Sequence, residues 1–115
     1  MGAPQPAECC KYEFGLDEWT VSGTMAEART LGGYDSSEDW GLILAGGFVP
    51  VGSSISSTVE TTQNGEVFES LPDLPDGNWD SCLVIVDQDR FFTCGGYITP
   101  SDTLIFQKST NSWNR

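Results

Sequence analysis

Short apolar runs, broken every few positions by Gly, Pro, Asn or Asp, dominate the sequence and predict β-strands joined by tight turns. Residues 82–86 and 90–94 flank Asp87-Gln88-Asp89, which predicts a hairpin with an acidic turn. Residues 102–107 predict a third strand, and the residues around Trp113 a fourth. Upstream, Asn64-Gly65 separates residues 58–62 from 67–71, and Asn-Gly predicts a hairpin because both residues tolerate positive φ. Residues 30–34 carry two glycines where a strand should be firm, which predicts a bulge or a close backbone approach. No stretch of eleven or more residues repeats apolar positions at i, i+3, i+4 and i+7, and Pro50, Pro72, Pro75 and Pro100 interrupt most candidates. Long helices are not expected, and the fold class is all-β.

The strand pattern is used twice. Residues 41–48 (GLILAGGF) reappear as residues 90–97 (RFFTCGGY), an offset of 49. At that offset Trp19 falls on Phe68 and Met25 on Leu74. Thr58 and Phe68 fall on Thr103 and Trp113 at an offset of 45, so the segment after the first Gly-Gly is about four residues longer. Such length differences belong in loops. Residues 12–19 match residues 106–113 in length, with an aromatic residue at each end. The expected organisation is therefore an N-terminal segment 1–18 holding the end of a preceding unit, a first repeat 19–67 and a second repeat 68–115.

A period near 50 with a Gly-Gly doublet and a later Trp resembles the kelch repeat. The doublets are Gly46-Gly47 and Gly95-Gly96, the spaced aromatics are Tyr12 and Phe106, and the tryptophans are Trp19 and Trp113. In the middle copy Thr61 takes the place of the aromatic and Phe68 that of Trp. Met25 and Arg29 resemble the M-x-x-x-R element leading into the next unit, where the second copy has Leu74 and Asn78. The resemblance implies two consecutive four-stranded antiparallel propeller blades, an incomplete propeller, with these residues serving packing. Each blade must bury its faces on the next, so further blades or self-association are expected for closure.

Composition narrows the chemistry. Seventeen acidic residues against five basic ones give a net charge of −12, which repels phosphate backbones and anionic headgroups. Nucleic acid is not an expected partner. No apolar run approaches the roughly 18 residues of a membrane span, and residues 1–10 lack the apolar core of a signal peptide. Cys9, Cys10, Cys82 and Cys94 match no C-x-x-C pattern and there is no histidine, so neither a metal nor another cofactor is expected. These four residues either form disulfides, with three possible connectivities, or remain thiols; the first state is compatible with an extracellular compartment.

The expected function is protein binding through loops joining the strands, chiefly residues 48–57, 71–80 and 97–101, since binding residues gather on loops held by a rigid scaffold. The 71–80 loop stands out because it joins prolines, the acids Asp73 and Asp76, and Trp79. No catalytic residues are expected. The rival reading is a piece of a propeller enzyme, carbohydrate-active or oxidase in type, with its active residues outside this chain. The sialidase turn motif S-x-D-x-G-x-x-W is met only in spacing, with Gln63 where its Asp would stand.

Overall fold

The computed structural model describes residues 7–50, 52–98 and 100–115. Residues 1–6 of the expected N-terminal segment, Val51 in the 48–57 loop and Thr99 in the 97–101 loop lie outside the described residues. Among the described residues there are ten strands and no helix. Strands β1 (Glu8–Glu13) and β2 (Glu18–Thr24) form a two-stranded hairpin. Strands β3 (Gly33–Ser37), β4 (Gly41–Val49), β5 (Ser54–Thr62) and β6 (Glu69–Leu71) form one four-stranded antiparallel meander. Strands β7 (Cys82–Ile85), β8 (Arg90–Cys94), β9 (Thr103–Gln107) and β10 (Ser112–Asn114) form another.

Local chemistry sets these hairpins. In β8 and β9 the buried residues Phe91, Thr93, Leu104 and Phe106 alternate with more exposed ones, which is the period of a sheet with one face covered. The Asp87 carboxylate accepts the N–H groups of Asp89 and Arg90 at 2.9 Å each, closing the acidic turn the sequence predicts. Asn64 Oδ1 accepts Glu66 N at 2.8 Å and Val67 N at 3.1 Å in the β5–β6 turn. Asp17 and Asn111 take left-handed φ values of 51° at the ends of matching four-residue turns. The Tyr12–Trp19 and Phe106–Trp113 cross-strand pairs are thus built alike.

Register corrects the alignment in one place. Strands β3 and β4 match β7 and β8 at the offset of 49, since Gly33 pairs with Ala45 as Cys82 pairs with Cys94, and Leu44 then pairs with Glu60 where Thr93 pairs with Leu104. That pairing makes Leu104 the counterpart of Glu60 and Phe106 that of Thr62, an offset of 44 across β5 and β9. Thr62, not Thr61, therefore stands where the spaced aromatic stands elsewhere. The cause is a bulge in β5, where Ser57 and Thr58 together lie opposite Gly46 between the Ala45–Val59 and Gly47–Ser56 pairs, which slips the pairing by one residue. Phe68 is half-buried and directly precedes β6. The sheets span residues 33–71 and 82–114, one strand out of phase with the repeat frames 19–67 and 68–115.

The core lies between the two four-stranded sheets. Ile43, Ala45 and Val59 on one side meet Leu83, Phe91, Leu104 and Phe106 on the other, with Trp40 and Leu74 closing the layer. Full burial of Phe91 and Phe106 stabilises by about 1.5–3 kcal/mol each. Trp40 sits edge-on to Phe91 at 5.1 Å and donates its indole N–H to Asp87 O at 2.8 Å. Trp113 packs on Phe91 and Phe106 at 5.4 and 5.3 Å and donates to Pro72 O at 2.9 Å. The two sheets approach closely at Gly33, where a Cβ would lie 3.2 Å from Leu83 Cβ; this is the close approach predicted for residues 30–34.

Trp19 departs from the expected packing role, being 71% exposed. It shares the cross-strand position of Trp113, yet its hairpin has only two strands among the described residues, and its ring contact is Tyr12 at 5.4 Å. The position alone does not bury a ring; a second sheet against it does.

Candidate interaction surface

The Gly-Gly doublets lie inside β4 and directly after β8, and the linker ahead of each sheet folds over them. Gly47 has φ 116°, and a Cβ there would sit 2.7 Å from Thr30 O. Gly96 has φ 101°, and a Cβ there would sit 2.4 Å from Asn78 Nδ2. Each glycine makes room for the linker ahead of its own sheet, Gly47 for the Thr30 backbone and Gly96 for the Asn78 side chain.

These linkers carry Arg29 and Asn78, separated by the same 49 positions. Arg29 Nη1 donates to Gly46 O at 3.0 Å, and Asn78 Nδ2 donates to Gly95 O at 2.8 Å, so each holds the first carbonyl of its doublet. Arg29 also reaches Thr58 O, Thr58 Oγ1 and Glu60 Oε2, the last at 2.6 Å. The side chains of this ion pair are 4% and 2% exposed. Glu60 Oε1 accepts Ala26 N at 2.7 Å, and Glu27 accepts hydroxyls from Ser56 and Thr58. In the second copy Leu104 replaces Glu60 and Pro75 replaces Ala26, so the carboxylate and the N–H it would accept are missing together. Met25 and Leu74 anchor the same linkers through Met25 N to Ala7 O and Leu74 N to Ser57 O, both 2.8 Å.

Next to these anchors the structure brings the three predicted loops together. Gly47 N donates to Asn78 O at 2.8 Å, Asn78 N to Ser56 O at 3.3 Å and Tyr97 N to Trp79 O at 2.9 Å. Trp79 consequently lies between two aromatic rings, 4.9 Å from Tyr97 and 6.3 Å from Phe48. Tyr97 is 71% exposed, whereas Phe48 and Trp79 are half-buried. Leu31 and Ile98 add exposed apolar surface, and Asp80 N donates to Leu31 O at 2.6 Å. Asp73 and Asp76 are exposed; Asp76 pairs with Arg115 at 3.1 Å, and Arg115 also binds Asp102. These carboxylates hold the Arg115 guanidinium above its ordinary range, Asp102 more than Asp76.

Trp79 was legible as a candidate from its loop, but its ring partners were not. Both follow a Gly-Gly doublet at the same offset, which is the signal that finds them. At the opposite end of the sheets a cleft of about 310 Å³ is lined by Trp40, Leu71, Phe106 and Lys108, the Lys108 ammonium 5.3 Å above the Trp40 ring. There Asp87 lies low in the carboxylate range, first through its bond to Arg90, and Asp89 lies low through Gln107 and Ser109. No protein-family model matches this chain, and no curated protein matches it.

Proposed function

We propose that the chain is a pair of kelch-type propeller blades whose loops form a non-catalytic protein-recognition surface centred on Trp79. The observation that carries this reading is the meeting of residues 48, 79 and 97, from three separate loops, in one partly exposed aromatic group. Aromatic side chains presented on a rigid frame suit recognition because they give large contact area at low entropic cost. The paired anchors Arg29–Gly46 and Asn78–Gly95 support the kelch assignment, since both linkers dock on a glycine doublet in the same way. In this reading the open face of β7–β10, carrying Val84, Phe92 and Ile105, is where a further blade stacks. The net charge of −12 favours a basic partner surface.

An array of Lys/Arg-rich peptides probed with the labelled chain tests the proposal. Tyr97→Ala should weaken retention about tenfold or more, the range expected for a central aromatic contact, while Phe14→Ala, at an exposed ring of the β1–β2 turn, should leave it unchanged. Equal retention by the Tyr97→Ala protein would overturn the assignment of the surface.

A further inference from the structure

Two cysteines face each other across the β7–β8 hairpin. Cys82 is the direct cross-strand partner of Cys94, and residues so opposed have Cα atoms about 4.5–5.5 Å apart with side chains on one face of the sheet. Disulfides span Cα separations of about 4.4–6.8 Å, so the strands need no rearrangement to accept one. All four thiols are free, Cys82 exposed and Cys94 half-buried. Cys9 and Cys10 lie in β1, with the Cys9 sulfur against the β5–β6 turn at Gly65, and neither pairs with β7 or β8.

The repeat does not account for these residues as packing. Their counterparts are Gly33 and Ala45, also a directly opposed pair, and there the sheets touch closely enough that a Cβ on Gly33 would crowd Leu83. Cys82 and Cys94 occupy the equivalent corner of the other sheet's open face, where larger, reactive side chains stand in place of the smallest ones.

We propose that Cys82 and Cys94 are a reversible dithiol–disulfide pair, a redox modification site for a small disulfide oxidant such as oxidised glutathione. Cys82, exposed at the corner of this face while no further blade covers it, meets the oxidant first. Its thiolate attacks one glutathione sulfur, releasing one reduced glutathione and leaving a mixed disulfide on Cys82. Burial, and then the neighbouring Cys82 thiol, push the Cys94 thiol above its ordinary range, so Cys94 is the second to react. It gives its proton to water and attacks Cys82 Sγ, expelling the second glutathione as a thiolate that takes up a proton. Two thiols are oxidised to one disulfide and one glutathione disulfide is reduced to two thiols. Cys94 directly precedes Gly95, whose carbonyl Asn78 holds, so the bond pins β8 where the loop carrying Tyr97 departs.

Thiol titration of the full chain under denaturing conditions, before and after oxidised glutathione, tests this without reference to any protein partner. Four thiols should fall to two, with a peptide crosslink joining Cys82 to Cys94, and dithiothreitol should restore all four. The Cys9→Ser/Cys10→Ser variant should go from two thiols to none. Four thiols retained, a glutathione adduct that stays on Cys82, a crosslink through Cys9 or Cys10, or covalent dimers would each overturn the proposal.

Discussion

The buried pair of Arg29 and Glu60 invites an exchange written by the chain itself, because the second copy holds Asn78 and Leu104 at those positions. Arg29→Asn alone strips Glu60 of its cationic partner and leaves a carboxylate that is 2% exposed with the Ala26 N–H. Removing one member of a buried pair costs about 3–5 kcal/mol, a large share of the roughly 5–15 kcal/mol that holds a domain together. Glu60→Leu alone strands a guanidinium that is 4% exposed, at a similar cost. The double variant removes both charges at once, and exchanging a buried pair for neutral, packed side chains is often close to neutral. Urea unfolding followed by tryptophan fluorescence should place each single variant about 3–5 kcal/mol below the parent. The double variant should lie within about 2 kcal/mol of it, a coupling of about 3 kcal/mol or more. Additive single effects, or an Arg29→Asn cost below about 1 kcal/mol, would refute the claim that this pair is desolvated and mutually dependent.

Two further perturbations test the packing and the turns. Trp113→Ala removes a ring wedged on Phe91 and Phe106 together with its bond to Pro72 O, and should cost about 3 kcal/mol or more in the same urea assay. Trp19→Ala, at the matching cross-strand position but exposed, should stay within about 0.5 kcal/mol of the parent; equal costs would contradict the burial contrast. Asp87 is held low by Arg90, so its stabilisation is fully present above the unfolded carboxylate pKa of about 3.9 and is lost as pH falls through the lower folded value. Asp87→Asn keeps an acceptor for the turn N–H groups while removing the charge, and should flatten the acid limb of a melting-temperature profile; an unchanged limb would remove the ion pair from the account.

How far the sequence carried the fold depends on where the determinants are local. Asn64-Gly65, the acidic turn at Asp87 and the alternation through Phe91 and Leu104 act within a few residues, and the strands follow them. The duplicated Gly-Gly segments also aligned correctly, because β3, β4, β7 and β8 keep one offset. The β5 bulge opposite Gly46 leaves no mark in composition, yet it moves the aromatic position from Thr61 to Thr62. Trp40 has no signal in the repeat, because its counterpart there is Asp89. The Arg29–Glu60 pair joins residues 31 positions apart, and neither type announces burial. Trp19 misled in the opposite direction, for its position was right while the sheet needed to cover it is absent among the described residues.

The two copies divide their work through the linkers. In the first, Thr30 O receives Phe48 N at 2.7 Å, and the neighbouring Arg29 is committed to a buried ionic network. In the second, the same backbone bond runs from Tyr97 N to Trp79 O at 2.9 Å, so Thr30 has become Trp79 and Phe48 has become Tyr97 without change to the frame. The backbone bridge needs no particular side chain, which leaves both positions free to carry rings. Asn78 makes this tolerable: it satisfies the Gly95 carbonyl without a charge, so no buried carboxylate is needed beneath the loop, and Leu104 can fill that place with apolar volume. The first linker thus contributes stability and the second contributes surface. Substituting Asn78 should therefore disturb the Trp79–Tyr97 contact well before it disturbs the core beneath.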